Sequence, residues 1–535
     1  MKNHNFAVCE PKVRWRKIAR LASQPKVGQP LAGGLPSGLS NNPAVFLIPP
    51  PPPHDLDVYT NNASWRGCFG RDALRAKALK NQRSLFSLFV LFILPLVVSG
   101  CFSALPPGGE ENPEPVKAED FEAAYAALQV YTPSNREQER PLIMAHYMPW
   151  YRGPSDKSRE NTKSVYGGHW TGWGALDPTR ARSDGKAEIF AHQYPLTGPY
   201  DQSALCLLEY QAALFKLAGI DGVIFDWYGS RDVNDFGEIH EHTKAMIAVL
   251  KRADLRFAVC YEDNTINMEY GGKENVPAGE ALESGKEVFR WMRQNWFADS
   301  AYAHLDGRPV VMCFGPQYFS QAQWENIFAE TDPRPFFVDL MSRANWADAT
   351  YNWPAMSGKK PVYPNLVNDL NGFYKGQKDK PRLIASAWPA FDDAYEDIGQ
   401  NSYGDLAYAD GETFKLTFKA ALDSRPDIIQ IATWNDYGEG TVIEPTVERG
   451  YRELEYVQDK RKEWDGDFPY TKEDIRVPLE FYKLQYLNAA TASQKTAIAG
   501  AYDALFADDA AGFRAAVERS GVTASVNDLK PLLRK

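Results

Sequence analysis

The residues best suited to chemistry in this sequence are two carboxylates three positions apart, Asp436 and Glu439. They stand on a loop where Gly438 and Gly440 permit tight turns, so both side chains can face one cavity. Neighbouring acids raise each other's pKa, which lets one carry a proton while the other stays ionised. Acid/base cleavage of a glycosidic bond requires such a pair, and a separation of about 5–5.5 Å or about 6.5–9.5 Å distinguishes retention from inversion.

The same mixture of side chains recurs behind other apolar runs of the sequence. Aromatic residues follow five such runs, and carboxylates follow four of them. Aromatic rings stack on the apolar faces of sugars, while carboxylates and amides bind sugar hydroxyls, so we predict a carbohydrate-binding site. The residues predicted on this ground to bind substrate are Tyr147, Trp150, Tyr151, Asp226, Trp227, Tyr228, Glu262, Trp388, Asp392, Trp434 and Asn435.

These side chains need a scaffold that brings the ends of several strands together. Eight short apolar runs alternate with helical stretches such as residues 203–217, 238–252 and 413–422. Continuously apolar runs are typical of strands buried on both faces. We therefore predict an α/β fold, a (β/α)8 TIM barrel with its active site at the carboxyl ends of the strands. The predicted strands are residues 142–147, 222–226, 256–261, 309–314, 335–340, a weak run near 351–355, 383–387 and 428–433.

A secretory leader is predicted inside the chain rather than at its start. Residues 85–98 form an apolar run behind Lys80 and Arg83 that is shorter than a transmembrane helix requires. Small residues precede Cys101, which resembles a bacterial lipobox. We expect Cys101 to be the lipidated first residue of an extracytoplasmic protein anchored to the bacterial cell envelope, at the outer membrane or in the periplasm. A plain membrane anchor is the alternative.

Five segments follow from this interpretation. Residues 1–80 are basic and rich in Pro and Gly, and we predict that they are disordered or precede the true start, which we place near Leu79. The other segments are a signal peptide at 81–100, a lipid-anchored flexible tether at 101–125, a (β/α)8 catalytic domain at 126–480 and a helical C-terminal extension at 481–535.

Charge and cysteine usage exclude some classes of protein. Residues 1–100 contain 13 Lys and Arg against 4 Asp and Glu, whereas the remainder contains 46 against 65. An acidic body lacks the basic face that nucleic-acid binding needs. The six cysteines include no C-x-x-C pair and no disulfide-style spacing, and Cys260 and Cys313 stand in strand-like runs where buried thiols are expected.

The loop around the two acids also resembles a known motif. Residues 433–441, Thr-Trp-Asn-Asp-Tyr-Gly-Glu-Gly-Thr, followed by Ile443-Glu444-Pro445, are similar to the strand-eight motif shared by glycoside hydrolase families 71 and 99. Family 71 contains fungal α-1,3-glucanases and family 99 contains endo-α-mannosidases and endo-mannanases, with bacterial relatives called 71/99-like or WbsX-like. The resemblance covers about residues 141–480. Its further matches are Tyr147-x-Pro149-Trp150-Tyr151, Gly168-His169-Trp170, Tyr200-Asp201 and residues 218–228.

The resemblance implies roles for individual residues. Glu439 corresponds to the family 99 general acid/base, and Asp436 to the other catalytic carboxylate, which is Glu in family 99 and Asp in family 71. The family 99 residue acts on the substrate 2-hydroxyl, whereas the shorter Asp436 favours the family 71 pattern. Trp227 would line the sugar site, and His169, Trp170 and Asp201 would bind substrate. The implied activity is endo-hydrolysis of an α-linked, mannan- or glucan-like polysaccharide. Independently of the resemblance, we expect the protein to be a monomer.

Several alternatives remain open at this point. A doubly wound sheet is the second candidate for the fold, but no G-x-G-x-x-G follows the first strand. A non-catalytic carbohydrate-binding surface lipoprotein would keep the aromatics, and a WbsX-like polysaccharide-processing protein or glycosyltransferase would act on sugar nucleotides. Export opposes the latter, and the D-x-D at 465–467 follows no predicted strand. We predict no cofactor and no metal, since residues 238–242 lack the H-E-x-x-H spacing, and no G-x-S-x-G is present.

Overall fold

The computed structural model describes residues 118–130, 140–272, 275–354, 365–524 and 531–533. The chain divides into two units, residues 1–77 and 78–535, and all described residues belong to the second. The predictions for the leader, the signal peptide and Cys101 therefore lie outside the described residues. Of the predicted tether, only residues 118–125 are described, and they lie in a helix, residues 118–127, in which Phe121 and Ala124 are buried.

Eight parallel strands form the centre of the fold. Each is almost wholly buried, which agrees with the continuously apolar runs of the sequence. The sixth strand starts two residues before the predicted run. The strands are β1 (Leu142–Tyr147), β2 (Gly222–Trp227), β3 (Arg256–Tyr261), β4 (Arg308–Cys313), β5 (Phe336–Leu340), β6 (Ala349–Tyr351), β7 (Ile384–Ala387) and β8 (Ile428–Ile431).

The order of these strands confirms the predicted barrel. Strands β1 to β6 pair in chain order, and β8 pairs with β1 on one side and β7 on the other. A doubly wound sheet would instead reverse its strand order at an internal switch point. Between β6 and β7, the backbone N–H of Ser386 donates to Asn352 Oδ1 at 2.9 Å, and this bond links the two strands at the seam.

Helices surround the barrel and bury the outer faces of the strands. Helix α3 is almost entirely buried and ends at Gly219, whose φ of 81° favours glycine. The connection from β5 to β6, residues 341–348, contains no helix. The helices are α1 (Ala118–Ala127), α2 (Gly168–Thr171), α3 (Leu205–Ala218), α4 (Phe236–Arg252), α5 (Thr265–Glu269), α6 (Glu280–Asn295), α7 (Gln321–Phe328), α8 (Asn365–Gln377), α9 (Glu412–Asp423), α10 (Arg452–Trp464), α11 (Val477–Tyr486), α12 (Ala492–Phe506) and α13 (Ala510–Ser520).

The C-terminal region is helical and packs onto the barrel. Helices α11 and α12 contact α3, and α13 packs on α12. Helix α12 begins with a capping box, in which Thr491 Oγ1 accepts from the Gln494 backbone N–H at 3.2 Å and the Gln494 side chain accepts in return. Within the described ranges, no helix combines the length and apolar character needed to cross a membrane.

The side-chain amide at the barrel seam gives a stability prediction. Asn352→Ala should lower the free energy of unfolding by about 1–3 kcal/mol, because the buried N–H of Ser386 then loses its acceptor. Asn326→Ala removes an exposed amide from α7 and should change it by less than about 0.5 kcal/mol. Urea unfolding followed by circular dichroism measures both, and equal effects would contradict the role given to Asn352.

Candidate active site

The loop after β8 has a shape set by its own hydrogen bonds. The backbone N–H of Thr433 donates to the Thr441 carbonyl at 2.8 Å, and the two threonine hydroxyls are 3.0 Å apart. Inside this closed loop, the Asp436 N–H donates to Thr433 Oγ1 at 2.8 Å, and the Glu439 N–H donates to Asp436 Oδ1 at 3.0 Å. The two predicted catalytic acids are therefore held in one turn.

Glycine is required at two positions of this loop for lack of space. A Cβ on Gly440, where φ is 67°, would lie 2.5 Å from the Asp392 carbonyl oxygen. A Cβ on Gly438 would lie 2.8 Å from the ring of Phe190. The conformational freedom predicted for glycine is used at Gly440, whereas Gly438 has no left-handed backbone and is restricted by its close contact with Phe190.

A buried carboxylate anchors the loop to the rest of the barrel. Glu444 accepts hydrogen bonds from the hydroxyls of Tyr200 and Tyr437 and from Gln211 Nε2, each at 2.8 Å. Burial raises the pKa of Glu444 to about 7 in spite of these donors. The sequence motif includes Glu444, but its anchoring role could not be read from the sequence, because its partners lie more than 200 residues away or on the facing side of the loop.

Four carboxyl groups gather at the carboxyl ends of β2, β3 and β8. Asp226 is buried, with Oδ2 accepting from the Tyr228 hydroxyl at 3.0 Å and Oδ1 without a hydrogen-bond partner. Burial raises the pKa of Asp226 to about 8, and the charge of Asp436 adds to the rise. Burial also raises the pKa of Glu262 well above its usual range, helped by Asp226 and Glu439.

The two acids of the β8 loop differ in their electrostatic surroundings. Burial raises the pKa of Asp436 to about 6, while backbone N–H donors from Glu439 and Gly438 and the nearby His169 oppose the rise. Burial raises the pKa of Glu439 well above its usual range, and the charges of Asp436, Asp393 and Asp226 raise it further. These surroundings therefore favour the protonated form of Glu439 and leave Asp436 the more readily ionised acid of the loop.

An aromatic surface lies beside the acids. Trp150 and His169, both partly exposed, stack with ring centroids 4.2 Å apart and planes 8° from parallel. His169 Nε2 is 3.5 Å from Asp235. Behind them, Tyr151 packs on Trp170 at 4.1 Å, and the Tyr151 hydroxyl accepts from the Tyr437 N–H at 3.1 Å. Trp150 and His169 are thus the accessible rings, supported by buried ones.

Three predicted substrate-binding aromatics point away from the site. Tyr147 donates to Gln211 Oε1 of α3 at 2.6 Å, and Trp434 packs on Phe215 of the same helix at 4.5 Å. Trp227, predicted to line the sugar site, instead packs between helices α4 and α6 and does not reach the acids. For Tyr147 and Trp227 the reason is strand alternation, since each neighbours a residue that faces the other side, whereas Trp434 lies in the loop after β8. The ring contacts of Trp227 are His240, Trp291 and Trp296.

Three further predicted residues support the backbone instead of presenting free polar groups. Asn435 is fully buried and joins Met148 through both its oxygen, at 2.9 Å, and its nitrogen, at 3.0 Å. Asp201 accepts from the N–H groups of Gly153 and Ser203. The Trp170 indole donates to the Tyr200 carbonyl at 2.9 Å.

The loop after β7 contributes one side wall of the site. Asp392 contacts His192 Nδ1 at 2.8 Å and accepts from Gln193 Nε2 at 2.7 Å, so it is a rim residue held by two partners. Trp388 is buried, and its backbone N–H donates to Thr417 Oγ1 at 3.1 Å. Residues that the sequence did not single out also lie within electrostatic reach of Glu439. They are Asp393, Tyr395 and Tyr403.

The fold and these acids define a class of molecule, a (β/α)8 barrel with clustered acids at the carboxyl ends of its strands. No family profile matches the sequence, and no curated protein matches it. Among solved structures, the chain is similar to the GH99 endo-alpha-mannosidase of Bacteroides thetaiotaomicron, at 17% identity over 61% of this chain and 96% of that one, with a TM-score of 0.44. A second structure of that enzyme is 16% identical over 63% and 98% of the two chains, with a TM-score of 0.45. A glycoside hydrolase-like protein is 12% identical over 64% and 98%, also with a TM-score of 0.45.

The contact of His192 with the rim gives a pH prediction. The hydrogen bond to Asp392 raises the pKa of His192, and the nearby charges of Asp397 and Asp393 add to it. Protonated His192 therefore stabilises the folded state through its pairing with Asp392. This contribution to the free energy of unfolding is fully present below the unfolded-state pKa of about 6.5 and is lost as pH rises through the higher folded-state pKa. His192→Gln should therefore reduce stability more at about pH 5.5 than at about pH 8.5.

Urea unfolding at the two pH values measures this difference, and NMR titration of the imidazole gives its pKa directly. Asp392→Asn should lower the pKa of His192, since the principal cause of the shift is removed. Equal losses of stability at both pH values, or an imidazole pKa that does not respond to Asp392→Asn, would count against the pairing.

Proposed function

We propose that this protein is a glycoside hydrolase that cleaves an α-linked glycan, with Glu439 and Asp436 as its catalytic acids. The observation that supports it most is the single hydrogen-bonded turn that holds both carboxyl groups at the carboxyl end of β8. This is the end of a (β/α)8 barrel at which active sites lie. Asp226 and Glu262 bring further acids to the same rim from β2 and β3.

The two catalytic acids have different tasks in this proposal. Glu439, whose pKa is well above its usual range, carries the proton that the leaving glycosidic oxygen receives. Asp436, with its pKa about 6, is mostly ionised near neutral pH and supplies negative charge to the oxocarbenium-like transition state. The backbone N–H of Glu439 donates to Asp436 Oδ1, which favours the ionised form of Asp436.

Sugar binding is assigned to the accessible parts of the rim. The exposed face of the Trp150–His169 stack offers a flat apolar surface for a pyranose ring. We also assign the binding of sugar hydroxyls near the acids to Glu262 and to Tyr228, whose own hydroxyl donates to Asp226. The α linkage, the mannan- or glucan-like polymer and the endo mode are proposed from the resemblance of residues 433–441 to the motif of glycoside hydrolase families 71 and 99.

Catalysis is tested by replacing the proposed proton donor. The purified protein should release reducing sugar from at least one of α-mannan, α-1,3-glucan and host-type glycans, and Glu439→Gln should lower the rate by about 10²-fold or more, because the amide cannot supply the proton. Asp436→Asn should lower the rate of sugar release by a similar factor, because the negative charge near the transition state is removed. Glu463→Gln, on the exposed face of α10, is the matched control and should keep full activity.

The outcomes separate the alternatives. Activity that survives in Glu439→Gln would assign the proton donor to another acid, with Glu262 the next to test. Absence of release from every polymer, with glycan binding retained in isothermal calorimetry, would favour a non-catalytic carbohydrate-binding protein.

We also propose that the chain is a lipoprotein of the bacterial cell envelope, on the sequence pattern before Cys101. Mass spectrometry of the membrane fraction should find a mature chain that begins with acylated Cys101 and no peptides from residues 2–75. Cys101→Ser should abolish acylation, because no thiol remains to be modified, whereas Cys206→Ser on α3 should not affect it. Peptides from residues 2–75 would contradict the proposed start, and acylation that persists in Cys101→Ser would contradict the anchor.

A further inference from the structure

Three different metal-binding side chains meet near the carboxyl ends of β1, β2 and β3, and one of them, Asp226, also belongs to the acid cluster. His146 of β1, Asp226 of β2 and Cys260 of β3 each place one ligand atom within 4.8 Å of the other two. All three are at most 3% exposed. They come from three adjacent strands, and Asp226 and Cys260 are paired in the register of β2 and β3.

Two of these side chains have free ligand atoms. Asp226 uses Oδ2 to accept from Tyr228, but its buried Oδ1 has no partner. A buried carboxylate oxygen without a donor is costly, which is a reason to expect a ligand there. His146 contacts Gln430 Oε1 through Nδ1 at 3.4 Å, and its Nε2 forms no hydrogen bond with a described residue.

A histidine that binds a metal usually donates its other ring N–H to a nearby acceptor, and Gln430 Oε1 is such an acceptor for His146 Nδ1. Gln430 Nε2 donates to Ser386 Oγ at 3.3 Å, so the amide presents its oxygen to the imidazole. An imidazole that donates through Nδ1 keeps Nε2 unprotonated, which is the form that binds a metal. Gln430 and Ser386 are thus placed to fix the tautomer and the orientation of His146.

The chemistry of the set selects the kind of ion. Imidazole, carboxylate and thiolate together suit zinc and its first-row neighbours, whereas Mg²⁺ and Ca²⁺ prefer oxygen ligands alone. Zinc binds these ligands at about 2.0–2.3 Å, so small side-chain movements would close the set around it. A divalent cation would balance the two negative charges of ionised Asp226 and Cys260 while His146 stays neutral.

We propose that His146, Asp226 and Cys260 form a binding site for a divalent transition-metal ion of the zinc type. Binding forms one bond from each side chain to the ion, and it releases to solvent the thiol proton of Cys260 and the carboxyl proton that Asp226 holds near neutral pH. Three protein ligands leave a fourth tetrahedral position for water. This site departs from the sequence prediction of no metal, and it stands whether or not the chain hydrolyses glycans.

Cobalt titration of the purified, chelator-treated protein tests the site. Co²⁺ bound to a thiolate absorbs in the near ultraviolet through charge transfer, and tetrahedral Co²⁺ absorbs in the visible. We expect both bands to saturate at one Co²⁺ per chain and to disappear when Zn²⁺ is added. Failure of the folded protein to bind either ion would overturn the proposal, and this measurement requires no variant.

Variants then assign the ligands. Cys260→Ser should remove the near-ultraviolet band, and His146→Gln should weaken Co²⁺ binding by at least about 100-fold; Gln430→Ala, which removes only the support, should weaken it by about 10- to 100-fold. Cys313→Ser is the matched control, since Cys313 is equally buried on the next strand but outside the set. Circular dichroism confirms that each variant is folded.

The control decides between this site and adventitious binding to thiols. Charge-transfer absorption that persists in Cys260→Ser, or that is lost equally in Cys313→Ser, would overturn the assignment. Zn²⁺ should also raise the thermal midpoint of the native protein and of Cys313→Ser, because an ion that binds only the folded state stabilises it. The same addition should leave the midpoint of Cys260→Ser unchanged.

Discussion

The constraint on which the site depends is the burial of Glu444. A carboxylate taken out of water is tolerable only with donors around it, and Tyr200, Tyr437 and Gln211 surround this one at 2.8 Å. Those donors come from the β8 loop itself, from helix α3 and from the segment before it. By satisfying one buried charge, the structure therefore ties together the parts of the chain that position the acids of the β8 loop.

The acid cluster above this anchor is held against its own repulsion. Asp226, Asp436, Glu439 and Glu262 all have raised pKa values, first because they are buried and then because neighbouring acids are near. Such crowding destabilises the fold unless protons or a cation relieve it. The proposed function uses one of those protons. The proposed ion, bound near the carboxyl ends of β1, β2 and β3, would relieve the same repulsion at Asp226 by a different means.

The aromatic residues show how a single barrel uses one residue type for two purposes. Trp150 lies at the rim and is partly exposed, whereas Trp227 and Trp434 pack against residues of the surrounding helices on the outer side of the barrel. All three follow apolar runs in the sequence and were predicted to bind sugar on that ground. Trp227 faces outward because of its position in β2, whereas Trp150 and Trp434 lie beyond the ends of β1 and β8, so the paths of the loops decide their direction.

The sequence by itself determined the barrel, the approximate position of all eight strands and the joint placement of Asp436 and Glu439. Those features are local, because an apolar run, a glycine turn or the three-residue spacing of Asp436 and Glu439 depends only on a short stretch of sequence. Tertiary structure alone decided that Asn435 and Asp201 support the backbone, that Glu444 anchors the loop, and that His146, Asp226 and Cys260 converge. The pairing of β1, β2 and β3 brings the last three side chains together, whereas closure of the barrel between β1 and β8 brings Asn435 to Met148 and Glu444 to Gln211. No spacing along the chain encodes those distances.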